Sequence, residues 1–209
     1  AGQADQAGGR PCNFRFPGIY MRQGWMSNFY VAATGIENFT IFSKNVRSLE
    51  EAVNYHIALA QVKRAVESGS GAGRPFRERL RAALLEAGPI DDLRPSFYTV
   101  LTCAQHFGSK KIRSPATVIL EEALEQHDRL ISARRAGRGA LRAAWVEVLQ
   151  VERVRKDGAR GNAIKRPRTQ QEAEAYVRAA EQATAAERQL PRLRRTLAAA
   201  ERLVGAEMQ

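Results

Sequence analysis

The segment "SLEEAVNYHIALAQVKRAVESG", from Ser48 to Gly69, constrains the fold most strongly. Ser48 suits the N-cap of a helix, and Glu51 three residues later completes a capping box. Leu49, Ala52, Val53, Ile57, Ala60 and Val66 recur near helical spacing, with Val62 at the margin, and Gly69 supplies the stop. An amphipathic helix of this length needs a core to pack on. The apolar content of 44% is enough to build one.

The neighbouring segments show similar punctuation. Pro17 opens a pattern in which Tyr20, Trp25, Phe29 and Ala32 or Ala33 recur near helical spacing, with Gly35 as its stop. "ENFTIFSKNV" suits a short helix or a strand through Phe39, Ile41 and Val46, and its surroundings favour the helix. Phe76, Leu80, Ala83 and Leu84 mark another helix, closed by Gly88 and Pro89. In "RPSFYTVLTCAQHFG", Ser96 caps a helix with Phe97, Val100, Leu101, Ala104 and Phe107 inward and Gly108 as its stop. In "SPATVILEEALEQHDRLISARR", Ser114 is the N-cap and Pro115 the first helical residue. Val118, Ile119, Ala123, Leu124, Leu130 and Ile131 face in. The expected fold class is mainly α, an N-terminal bundle of five to six short helices followed by a smaller C-terminal α/β or helical region.

Three regions follow from these patterns. Residues 1–16 form a flexible arm, 17–135 the bundle, and 136–209 a basic domain with one strand and two helices. The strand is "AWVEVLQVERV", where Val146, Val148, Val151 and Val154 lie among polar residues. One helix runs from Thr169 to about Arg188, and Pro191 separates it from a last one. "GSGAGRP" follows a helix and lacks a Lys-Ser/Thr pair, so it is a linker and not a phosphate cradle. No regular repeat period is evident, which argues against a helical-repeat module.

Lys and Arg number 33 against 22 Asp and Glu, giving a net charge of +11. A chain this basic favours an acidic partner: RNA, an anionic membrane surface or an acidic protein. No apolar run approaches the ~20 residues that span a bilayer. The chain opens without an initiator methionine or a signal-peptide core, as expected of a mature protein whose organelle-targeting sequence has been removed. A shortened chain would look the same.

Chemistry-bearing residues are scattered. Cys12 and Cys103 have no metal-type spacing, and Cys103 reads as a buried small hydrophobe. His56, His106 and His127 fall on three different helices, and HExxH, CxxC and GxSxG motifs are absent. Asp91 and Asp92 precede a helix, where carboxylates favour the exposed N–H groups. The chain therefore reads as no enzyme, with no cofactor or metal. The basic surface of Arg134, Arg135, Arg138, Arg155, Lys156, Lys165 and Arg166 could hold phosphates, yet Trp145 is the only aromatic residue among these charges.

"QGWMSNFYVAA" resembles the opening of the family of the oligomycin-sensitivity-conferring protein of ATP synthase, counterpart of the bacterial delta subunit. That opening runs approximately G-x-x-G-R-Y-A-x-A-L-Y-x-A-A. Trp25, Phe29, Tyr30, Ala32 and Ala33 match, while Gly24, Met26 and Asn28 depart from it. "FSKNVRSLEEAVN" and "FYTVLTCAQHFGSKKIRSPATVILEEALEQH" are similar to later bundle segments, so residues 17 to 135 carry the resemblance. The family's Gly-Gly hairpin near the C-terminus is missing.

The resemblance implies a non-catalytic stator subunit on the matrix side of the mitochondrial inner membrane, joining the catalytic head to the peripheral stalk. Its partners would be ATP synthase α subunits and peripheral-stalk subunits. It would be membrane-associated through the complex, without direct nucleic acid contact. An α-subunit N-terminal helix would lie in a groove between the first and fifth helices. Tyr20, Trp25, Phe29 and Tyr30 would line that groove, with Phe97, Leu101 and Phe107 across from them. The alternative is a basic helical RNA-binding protein of an organellar ribosome or ribonucleoprotein.

Overall fold

A computed structural model describes residues 17–23, 28–68, 73–87, 90–103, 107, 111–151 and 167–207. It contains a curled, five-stranded antiparallel sheet in the order β1 (Ile19–Gln23), β2 (Asn28–Ile36), β3 (Phe39–Phe42), β4 (Ser96–Thr102), β5 (Lys111–Arg113). The helices are α1 (Leu49–Ser68), α2 (Phe76–Glu86), α3 (Leu120–Ala136), α4 (Arg138–Leu149) and α5 (Gln170–Glu207), with a 3-10 turn at Ile90–Leu93. The fold is thus an α/β mixture, and the expectation of a mainly α bundle is overturned.

Side-chain periodicity explains the difference. In β4, Phe97, Thr99 and Leu101 are buried while Tyr98 and Val100 are half-buried. In β3, Phe39 and Ile41 are buried and alternate with Thr40 and Phe42. Period two, carried by aromatic and β-branched residues, specifies strands. The segment expected as the first helix forms the β1–β2 hairpin instead, with Tyr20 opposite Val31. Gly35 is not a helix stop but an exposed residue inside β2, and Glu37 makes the next turn with a positive φ of 51°.

The opposite difference holds at α4, where a strand is expected and a helix forms. Val146 and Val148 suggested a strand, yet Leu141, Ala144, Trp145, Val148 and Leu149 lie on one helical face and are all buried. Leu141 begins that face ahead of the alternating valines, where the strand pattern does not reach. The last helix is also continuous across Pro191, where a break was expected. Proline removes one backbone donor, and the strong helix formers on either side continue the helix.

Helix α1 starts where the capping argument placed it, with the Ser48 Oγ accepting the Glu51 N–H at 3.3 Å. Its buried line is Ala52, Leu59, Val62 and Val66, whereas Ile57 is 51% exposed. Ser114 is not the cap of α3, which begins at Leu120. Ile119, expected inward, is 43% exposed.

What Ser114 does instead uncovers a recurrence. It exchanges backbone hydrogen-bonding with Thr99: its N–H donates to the Thr99 carbonyl (3.0 Å), and its Oγ accepts the Thr99 N–H (2.9 Å). Ser43 makes the same two bonds with Ala32, at 2.9 and 3.0 Å. Each hydroxyl also donates to the following carbonyl, of Lys44 or Pro115. Three residues after each serine an antiparallel bridge forms, Tyr30 with Val46 and Phe97 with Thr117. A helix then opens with Leu-Glu-Glu-Ala, at Leu49 and again at Leu120.

The chain therefore folds twice into a strand–strand–helix unit, joined where β3 pairs with β4. No fixed period exposed this, because the connections inside the two units differ in length.

All three apolar clusters lie on one side of the sheet. One joins Ile36, Phe39 and Phe97 to Leu59, Leu80 and Leu124 of α1, α2 and α3. A second joins Leu101 and Ile112 to Leu130, Leu141, Trp145 and Val177. Residues on both sides of position 135 share that second cluster, so packing runs across the expected domain boundary.

Candidate nucleic-acid interface

Strand alternation sends Ile19, Ala32, Phe39, Ile41, Phe97, Leu101 and Ile112 toward the helices, so their neighbours occupy the other face. No residue of that outer face belongs to any of the three clusters. Val31 and Ala33 at its centre are nonetheless buried. Around them stand Tyr20 on β1, Phe42 on β3 and Tyr98 on β4. The Phe42 and Tyr98 rings stack at 5.1 Å with an interplanar angle of 18°, and Tyr20 lies 6.5 Å from Phe42. Tyr20 is 57% exposed.

Cations rim this row. The Arg47 guanidinium sits 6.0 Å from the Phe29 ring, which shares the outer face through its pairing with Arg22. On β5, Lys111 and Arg113 are exposed and pair with Thr102 and Val100. The Trp145 indole N–H donates to the Arg113 carbonyl at 3.3 Å, tying this edge strand to α4.

A polar cluster joins the first turns of α1 to the segment after β3. The Tyr55 hydroxyl donates to Glu51 at 2.6 Å, and Lys44 approaches the same carboxylate at 3.3 Å. The hydrogen bond from Tyr55, more than the nearby lysine, holds the Glu51 carboxyl below its usual range. Burial and the anionic Glu51 raise the Tyr55 phenol. Tyr55 also contacts the Asp92 carbonyl (3.2 Å), and the Lys44 N–H donates to the Leu93 carbonyl (2.8 Å). Asp91 and Asp92 therefore sit in the 3-10 turn before β4, not at a helix start.

The residues expected to line one groove are divided by the sheet. Tyr20 and Phe29 belong to the outer face. Tyr30 packs inward beside Val46, Phe97 and Leu101 are buried under the helices, and Phe107 packs edge-on against Trp145 at 5.6 Å. Trp25 lies outside the described residues. A groove between the first and fifth helices is not formed by these residues, because the first of those helices is a hairpin and the segment from Ser96 is a strand.

Of the expected basic surface, Arg134 and Arg135 close α3, and Arg138 opens α4, where it pairs with Glu181 at 3.3 Å. Arg155, Lys156, Lys165 and Arg166 lie outside the described residues, as do Cys12 and His106.

Of the other two histidines, His56 on α1 is half-buried and His127 on α3 is buried. His127 is buried between Phe76 (4.7 Å between ring centres) and Phe39 (5.8 Å), and its Nε2 has no hydrogen-bond partner. His56 has a buried, unpartnered Nδ1. Cys103 is buried, and that burial pushes its thiol up. Among the described residues no group of three or more His, Cys, Asp or Glu side chains could hold a metal, and no helix is long and apolar enough to cross a membrane.

Sequence reasoning missed Phe42, Tyr98, Arg47, Lys111 and Arg113. The alternation in "FTIF" and "SFYTVLT" would have placed the first two on one sheet face. Set against protein-family models, curated proteins and solved structures, the chain matches none of them.

Proposed function

We propose that this protein binds single-stranded nucleic acid on the outer face of its sheet, and acts by binding and not by catalysis. The observation that carries the reading is the aromatic row Tyr20–Phe42–Tyr98, held on β1, β3 and β4 of one sheet with one ring well exposed. Bases stack on such rings without regard to sequence, because every base presents a π-face. Arg47, Lys111 and Arg113 rim the face where a backbone would run, and the net charge of +11 draws it in. The polar cluster at the start of α1 supports binding over chemistry. Glu51 is held ionised by two donors and is poorly suited to accept a proton.

The stator reading needs a helical groove, and of the residues assigned to it Tyr20 and Phe29 stand on the opposite side of the sheet from Tyr30, Phe97 and Leu101. Nothing in the fold favours it over the nucleic-acid reading.

Fluorescence anisotropy with labelled oligouridylate and oligothymidylate of about 12 nucleotides tests the proposal. Tyr98→Ala and Tyr20→Ala should each cost about 1–3 kcal/mol of binding. Affinity should fall steeply with salt, and Arg113→Gln should reduce the salt slope by about 0.7. Absence of binding at low salt overturns the reading. So does binding that both tyrosine variants leave unchanged.

A further inference from the structure

The outer face of the sheet does not end abruptly at β5. Val100 follows Tyr98 on that face and pairs with Arg113 on the edge strand. Trp145 lies behind Arg113. Its indole N–H donates to the Arg113 carbonyl at 3.3 Å, and its ring meets Tyr176 of α5 edge-on at 5.9 Å. Tyr176 is 48% exposed. The Arg168 guanidinium lies over the Tyr176 ring, 4.1 Å from its centre. Arg113, Trp145, Tyr176 and Arg168 thus form one line of contacts from the edge of the sheet onto α5.

Arg168 differs from the arginines around it. Arg138 and Arg142 share Glu181, and Arg178 meets Glu174. No carboxylate among the described residues pairs with Arg168, although its side chain is half-buried. A guanidinium over a ring engages through its face and keeps its N–H donors at the rim. Among the described residues no acceptor meets those donors. A cation fixed by a ring, with its donors open, is preorganised for an anion.

We propose, on the nucleic-acid reading above, that the bound strand leaves the sheet across β5 and that Arg168 takes a phosphate beyond those at Lys111 and Arg113. Paired N–H donors match the paired oxygens of a phosphodiester. Tyr176 is a positioning residue, which acts by holding the guanidinium in place. The protein therefore covers a strand longer than the sheet alone can hold.

Anisotropy of labelled oligouridylates of about 4 and about 12 nucleotides on the full chain tests this. The short probe is covered by the sheet face, and the long one reaches α5. Arg168→Gln should weaken the 12-mer about threefold or more and lower its salt slope by about 0.7, with the 4-mer unchanged. Arg168→Lys keeps the charge without the paired donors, so it should recover only part of the affinity. Tyr176→Ala should weaken the 12-mer alike, and combining it with Arg168→Gln should add little, because the ring acts through the guanidinium. Arg74→Gln removes an exposed charge just before α2, in the helical layer, and should leave both probes unaffected. A 12-mer that Tyr98→Ala weakens and Arg168→Gln does not would overturn the inference and leave the sheet-face reading standing. Equal losses from Arg168→Gln and Arg74→Gln would also overturn it, since they would report net charge alone. A parent chain that binds neither length would remove the sheet-face reading and this extension together.

Discussion

Gly18 and His56 occupy space that a β-carbon would close. A Cβ built on Gly18 would lie 2.5 Å from the His56 Nδ1 and closer still to its Cε1, and Gly18 also holds a φ of +83°. The Gly18 carbonyl accepts the Ala33 N–H at 2.7 Å, so the residue starts the β1–β2 ladder while α1 closes over it. Gly18→Ala should destabilise the fold by about 1–2 kcal/mol through the backbone alone, with more from displacing the imidazole. Urea unfolding measures the loss. Adding His56→Ala should restore the steric part and leave the backbone part.

Ser43 and Ser114 should be equivalent in energy as they are in geometry. Removing either hydroxyl leaves a buried N–H, of Ala32 or of Thr99, without its acceptor. Ser43→Ala and Ser114→Ala should each cost about 1–3 kcal/mol. The two share no partner, so the double variant should show the sum in denaturant midpoints.

His127 makes stability depend on pH. Burial among aromatic rings lowers its pKa from 6.5, against the opposing pull of Asp128 and Glu37. The unfolded chain takes up the proton first as the pH falls. Stability is therefore fully present above about pH 6.5 and is lost toward the lower folded value. The urea midpoint should drop as the pH falls through about 6.5 in the parent, and less in His127→Phe.

Tyr55→Phe removes the leading cause of the low Glu51 pKa. The Glu51 carboxyl should move back toward its ordinary range, which carbon-detected NMR titration reads directly. If it does not move, Lys44 alone holds the charge.

The helices with a single long face were legible in the sequence. Ser48 announced α1, and Phe76, Leu80 and Ala83 announced α2, because capping and a 3.6-residue period are local signals. The strands were not. Their inward residues Phe97 and Leu101 are four positions apart, a spacing that a helix also satisfies, so only the half-buried Tyr98 and Val100 between them break the tie. The aromatic row is harder to foresee. Tyr20, Phe42 and Tyr98 meet only through pairing between distant strands, and the β3–β4 register depends on two helices inserted between those strands.

That register has a consequence for any attempt to divide the chain. Ile41 pairs with Phe97, so each strand–strand–helix unit covers the raw hydrogen-bonding edge of the other. Residues 17–87 produced alone would present β3 as an open template, and residues 90–207 would present β4. Such halves should reassemble when mixed, or exchange units between molecules when the loop joining α2 to β4 is cut short. The sheet is thus a clasp between two similar hands, and neither hand closes on its own.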